Sequence, residues 1–163
     1  MEKVKLKSAV LLVLLLTCLL SSCGTKTTEH IIGELTITLP DHFLEFDCEG
    51  YTACFEGDDV TIFILEELAT EQNGLADLTL PLYAEKVRDA NASKNPTEIL
   101  SVEGITFFEY DFLNEQEERT YSYCTAVFKG EYSFWFVQFA TLYDEYESKK
   151  PDFLKWAKTV TLE

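Results

Sequence analysis

The sequence predicts an α+β fold in which an antiparallel β-sheet is covered by helices on both faces. Three observations predict it. The stretch Ser133-Phe-Trp-Phe-Val-Gln-Phe-Ala-Thr141 is apolar on both sides of a strand. Phe134, Phe136 and Ala140 face one way and Trp135, Val137 and Phe139 the other, and a strand buried on both faces requires cover on both. Leu80, Tyr83, Ala84, Val87 and Asn91 recur at helical spacing behind Thr79, an N-cap residue type, with Pro81 in the first turn where its missing N–H is harmless. Finally, residues 98–142 read as four strands joined by short polar turns, the pattern of an antiparallel meander.

The remaining elements fit around these. Residues 34–40 alternate, with Leu35, Ile37 and Leu39 on one face, and Pro40 stops the strand. Two short strands are expected over 43–47 and 51–55, around Glu49-Gly50, and a strand apolar on both faces over 60–65 after the turn Gly57-Asp58-Asp59. Residues 66–76 are polar and loop-like, and the helix runs over 80–91. The meander comprises 98–102, 105–113, 119–128 and 132–142. A closing helix over 151–158 clusters Phe153, Leu154 and Ala157, places Lys155 and Lys158 near its C-terminal end, and leaves Val160 to extend the apolar face. The order is strands, helix, four strands, helix: one domain over 31–163, without internal repeats.

The N-terminus has a different character. Lys3, Lys5 and Lys7 precede an apolar run from Ala9 to Leu20, a basic head and short greasy stretch that make residues 1–22 a signal peptide rather than a membrane span. The run ends in Leu20-Ser21-Ser22-Cys23, which resembles the lipobox of bacterial lipoproteins. That resemblance implies cleavage before Cys23, lipidation of its thiol with palmitate-type chains, and an extracytoplasmic domain held at the cell membrane by its lipid anchor. Residues 23–30 then read as the lipidated cysteine and a polar, flexible tether.

The whole chain carries 13 basic and 29 acidic side chains, net −16, and removing residues 1–22 with three lysines and one glutamate leaves −18. Such a charge excludes nucleic acid as a partner, because phosphate binding needs clustered lysine and arginine. Twelve Phe, eight Tyr and two Trp supply ample core and exclude disorder. Of the cysteines left after Cys23, Cys48 and Cys54 lie close enough in sequence to form a disulfide across a hairpin, and Cys124 is left over; three buried free thiols are the alternative.

The opening Leu35-Thr-Ile-Thr-Leu-Pro40-Asp-His-Phe43, the helix Leu80-Pro-Leu-Tyr83-Ala84, the strand Tyr132-Ser-Phe-Trp-Phe-Val-Gln-Phe139 and the closing Phe153-Leu-Lys-Trp156-Ala-Lys-Thr-Val160 resemble the PsbP/Mog1-like family, through element order and apolar spacing rather than a sharp motif. The resemblance implies an α-β-α sandwich that binds or assists without catalysis. The family includes photosystem accessory proteins, a small-GTPase-binding protein and many bacterial lipoproteins. No functional motif of any branch is matched, so no ligand or partner residue carries over.

Catalytic constellations are poorly supplied. His30 falls in the tether and His42 in a turn after Pro40-Asp41, which leaves no histidine for a nucleophile–base pair. The acidic pairs Asp58-Asp59, Glu66-Glu67, Glu117-Glu118 and Asp144-Glu145 lack the Asp-x-Asp-x-Asp-Gly order of a calcium loop, and solvated charge is the ordinary role of such pairs in turns. Neither a metal site, a cofactor site nor a catalytic residue is assigned. Arg119, Tyr121 and Tyr123 share one face of a strand and form a candidate ligand surface. The function expected is a lipid-anchored, non-enzymatic binding or accessory module that engages an envelope protein or a small ligand. The alternatives are a metal- or carboxylate-dependent envelope hydrolase and an inhibitor-like or stress-related envelope protein.

Overall fold

The computed structural model describes residues 25–163; the expected leader and Cys23 lie outside the described residues. The fold is α+β, mostly antiparallel sheet with two helices. A three-stranded sheet joins β1 (Thr27–Ile32), β2 (Leu35–Pro40) and β10 (Thr161–Leu162) in the order β1-β2-β10. A seven-stranded sheet contains β3 (Leu44–Phe46), β4 (Ala53–Gly57), β5 (Val60–Leu68), β6 (Leu100–Val102), β7 (Ile105–Asn114), β8 (Arg119–Lys129) and β9 (Ser133–Leu142). Its order is β3-β4-β5-β9-β8-β7-β6, antiparallel throughout. Helix α1 (Leu80–Ala90) lies between β5 and β6 in the chain, and α2 (Tyr146–Ala157) follows β9.

The alternation of β9 organises the core. Phe139 pairs with Cys124 of β8 and Ile62 of β5, and Val137 with Ala126 and Ile64, so these six residues share one face and are essentially buried. Phe153 of α2 stacks on Phe139 with ring centroids 5.3 Å apart, and Trp156 lies 6.1 Å from the same ring. Leu35, Ile37 and Leu39 of the small sheet, all 0% exposed, close onto this cluster. Phe134, opposite in parity, stacks instead on Tyr83 of α1 at 4.4 Å, in a second cluster with Leu75, Ala84 and Val127.

Three expectations are corrected. Residues 27–30, expected within the tether, belong to β1 and pair with β2 from Thr27↔Pro40 to His30↔Ile37. Their polar side chains gave no alternation to read, but the backbone finds partners along the edge of β2. The closing helix begins at Tyr146 rather than at 151, with Pro151 inside it. A proline there forfeits one hydrogen bond, offset by Tyr146, which packs its ring 5.9 Å from Phe153 and donates its hydroxyl to Glu109 Oε1 at 2.5 Å. The short β10, in the last residues, was not anticipated and pairs with Leu35 and Thr36.

The turn between β4 and β5 places Asp58 and Asp59 at φ 50° and 61°, the left-handed pair that a two-residue hairpin turn demands and that aspartate tolerates. Across the connection between β3 and β4, Cys48 and Cys54 are joined as a disulfide, with Cα atoms 6.3 Å apart, while Cys124 is free and buried. The loop so closed is short. Reduction, or Cys48→Ser, is expected to lower stability by about 2 kcal/mol in the chain-entropy account, measured as urea midpoints with and without reductant.

Candidate functional site

Helix α1 packs on only part of its sheet face. Beyond it, the register brings together side chains from four strands: Phe63 opposite Gln138, Gln138 opposite Thr125, and Tyr123 opposite Tyr110. Tyr51, from the turn before β4, lays its ring 4.9 Å from Phe63 and 6.2 Å from Phe136. Tyr110 and Tyr123 stack at 4.8 Å, nearly parallel. Tyr51, Phe63, Tyr123 and Phe136 are half-buried, whereas Thr125 and Gln138 beneath them are buried. Gln138 donates from Nε2 to Tyr110 Oη at 2.8 Å and to Thr125 Oγ1 at 2.9 Å, which fixes the amide as a rigid floor. The result is an aromatic half-face with a polar base.

Lys94, at the end of the short turn after α1, overhangs this face. Its Nζ lies 4.7 Å from the centroid of Tyr110 and 5.5 Å from that of Phe112, and donates to Asn91 Oδ1 at 2.9 Å. Burial lowers its pKa from the ordinary lysine value. A slot of about 280 Å³ opens between α1 and the sheet, lined by Tyr51, Val87, Lys94, Tyr110, Phe136 and Gln138 among others. Glu67, also in its lining, accepts a hydrogen bond from the Tyr83 hydroxyl at 2.7 Å. Burial first, then this bond and the carboxylate charge, hold the Tyr83 phenol far above its ordinary range.

Two other concavities flank the sheet. Arg119 and Tyr121 line a groove of about 470 Å³ with His42, Asp59 and Leu142. The three residues singled out from the sequence are thus only partly brought together, because Tyr123 stacks into the tyrosine pair while Tyr121 reaches outward to donate to Glu117 at 2.6 Å. A wider cavity of about 720 Å³ lies over β7 toward α2, lined by Lys94, Glu109, Asp111, Tyr143, Tyr146 and Glu147 among others. Within it Lys150 Nζ lies 2.7 Å from Glu109 Oε1. Burial, reinforced by the charge of Glu109, pushes the Cys124 thiol up to about 12, so it holds its proton at neutral pH and is a poor nucleophile.

His30 lies in β1 with its ring 4.6 Å from Phe55, and His42 Nε2 sits 2.7 Å from Asp58 Oδ2 at the surface. Among the described residues, no three His, Cys, Asp or Glu side chains converge as metal ligands. The slot residues Tyr51, Lys94, Tyr110 and Gln138 escaped the sequence reading. Their one signal was the alternation of Phe108, Tyr110 and Phe112 along β7, which identifies a face but not its neighbours.

By sequence, no family model and no curated protein matches the chain. By structure, it is similar to cyanobacterial PsbP (CyanoP) of Synechocystis sp. PCC 6803, with a TM-score of 0.56 and 14% identity over 88% of this chain and 99% of that one. The chain has a PsbP-like fold. It is similar also to a protein of Bacteroides thetaiotaomicron VPI-5482 (TM-score 0.53, 12% identity, 85% of this chain), of which it spans about half the length, 48%. A third similar structure is LpqN, involved in cell envelope biogenesis of Mycobacterium tuberculosis, with a TM-score of 0.50 and 12% identity over 84% of this chain and 90% of that one. At such identities the likeness is one of fold. Among the described residues, no helix is long and apolar enough to cross a membrane.

Proposed function

We propose that the protein is a lipid-anchored, extracytoplasmic binding or accessory module that acts without catalysis, its anchor at Cys23 and its binding surface on the open aromatic half-face beside α1. One observation carries the reading: Tyr51, Phe63, Tyr123 and Phe136 stay half-exposed on a rigid, hydrogen-bonded floor, and an aromatic surface of this kind is a common recognition device. The alternation of β9, with Phe134 against α1 and Phe139 against α2, supports helix cover on both faces of the sheet, incomplete where this surface lies. Several features favour binding over catalysis. Cys124 is locked in its protonated form, His42 is engaged by Asp58, and Glu109 is occupied by Tyr146 and Lys150. The Leu20-Ser21-Ser22-Cys23 sequence supports the anchor, and the role of the LpqN neighbour in cell envelope biogenesis supports the compartment.

Two measurements test it. Radiolabelled palmitate is expected to enter the wild-type chain and to be absent from Cys23→Ala, which should leave the membrane fraction; label retained by the variant refutes the anchor. A photo-cross-linking side chain placed at Phe63 in living cells is expected to give discrete adducts. The same group at Ile31, 74% exposed in β1, should give none. Equal labelling from both positions refutes the assigned face.

A further inference from the structure

The geometry points to a binding site for a small, flat monocarboxylate in the slot between α1 and the sheet, its ring against Phe136 and Val87 and its anionic oxygens taken by Lys94 and the phenols of Tyr51 and Tyr110. The inference rests on the binding-module reading and adds the chemical class of the ligand.

The first support is a surplus of donors. In a chain of net charge −16, Lys94 has no carboxylate within ion-pair distance among the described residues. Arg88, Lys150 and Lys158 are each paired with an acidic side chain, and the unpaired Lys86, Lys129 and Lys149 each donate to a backbone carbonyl. The single hydrogen bond of Lys94 goes to the Asn91 amide, which leaves two of its three N–H groups free. Tyr110 receives the Gln138 N–H on its oxygen and donates its own proton to no described residue. The Tyr51 hydroxyl, its acidity suppressed by burial, makes no hydrogen bond within the described residues either. Apart from the Asn91 amide and the ring faces under Lys94, this ammonium and these two phenolic protons border a single slot with no acceptor among the described residues. An anion supplies that acceptor, and charge-assisted hydrogen bonds of this kind are the strong ones.

The second support is shape. The apolar part of the lining is Leu65, Val87, Ala90 and Phe136. A volume of about 280 Å³ is just under the usual range of ligand pockets, roughly 300–1,000 Å³, and admits one ring with a short acid arm rather than a long chain. The third is polarity along the slot. Glu67 and Lys86 also line the slot, the first accepting from Tyr83 and the second donating to the Asn73 carbonyl; the Glu67 carboxylate repels a second anion, so a bound monoanion places its charge at Lys94 and a dianion is disfavoured.

The test is calorimetric titration of the full-length lipoprotein in phosphatidylcholine nanodiscs with phenylacetate, its neutral isostere phenylacetamide, and inorganic phosphate. Phenylacetate is expected to bind at least tenfold more tightly than the amide, and phosphate not at all. Lys94→Gln should weaken phenylacetate at least tenfold with an unchanged melting temperature. Val87→Trp, which fills the slot and leaves Lys94 in place, should abolish binding. The proposal is overturned if the amide binds as well as the acid, if Lys94→Gln or Val87→Trp binds normally, if phosphate alone competes, or if phenylacetate gives no heat. None of those results touches palmitate labelling or the Phe63 cross-link, so failure of the slot is distinguishable from failure of the module.

Discussion

Phe139→Ala is expected to destabilise the protein by about 4 kcal/mol, a large part of the roughly 5–15 kcal/mol that holds a domain of this size together. Phe139 is 0% exposed and sits where both neighbouring strands and α2 meet. It is flanked by Cys124 and Ile62 across the two ladders and covered by Phe153 and Trp156. Truncating it removes the ring's own burial and leaves a void, because the walls are strands fixed by their hydrogen bonds and relax little. The melting temperature should fall by about 15 °C, followed by circular dichroism. Phe112→Ala is the control: its ring is 41% exposed, and the change should stay within about 0.5 kcal/mol. A Phe139→Ala loss no larger than that of Phe112→Ala would sink this account of the core.

The strands that carry Phe139 and its partners were legible because each is long and strongly patterned. In β9 both parities are apolar, which announces burial on both faces; in β2 one parity is apolar up to Pro40, which announces a half-buried strand. Helix α1 was legible for the same reason, from Thr79 and Pro81 at its start and the stripe Leu80, Tyr83, Ala84, Val87. What failed did so where a tertiary contact outweighs a local signal. Pro151 reads as a helix start, yet the helix begins five residues earlier because Tyr146 gains a partner in Glu109 and a packing surface in Phe153. Residues 27–30 read as tether because their side chains are polar, yet a strand can be held by its backbone alone.

The candidate site was less legible still, for a reason specific to sheets. A pattern of period two says which residues share a face of one strand, and it grouped Arg119, Tyr121 and Tyr123 correctly in that sense. It says nothing of the partner across the ladder. Tyr123 meets Tyr110 only because β7 and β8 pair in one register, and Gln138 meets both only because β9 lies on the other side of β8. Lys94 joins them through a turn with no periodicity at all, ending at Asn95 in the left-handed region. A site assembled from several strands, a helix and two turns is therefore a product of topology, and no local reading of the chain reaches it.

Raising the pH is expected to destabilise the protein from about pH 9 upward. Burial is the cause. Cys124 ordinarily releases its proton near 9, and its surroundings together with the Glu109 charge raise that to about 12 in the folded state. Between those values the unfolded chain has lost the proton and the folded chain retains it, so the unfolded state binds fewer protons and stability falls as pH rises. The slope approaches about 1.4 kcal/mol per pH unit for a single group, a loss of roughly 2–3 kcal/mol by pH 11. Below pH 9 both states hold the proton, and this contribution is fully present. Tyr83, Tyr110 and Tyr146 act in the same direction from about pH 10, each held above its ordinary value chiefly by burial. Urea midpoints at pH 7, 9, 10 and 11 measure the effect, and Cys124→Ala isolates the thiol: without it the onset should move up by about one unit to where the tyrosines begin. A midpoint flat to pH 11, or one onset shared by wild type and variant, would mean that neither the thiol nor the phenols are as thoroughly removed from water as the packing of α2 against β7 and β8 requires.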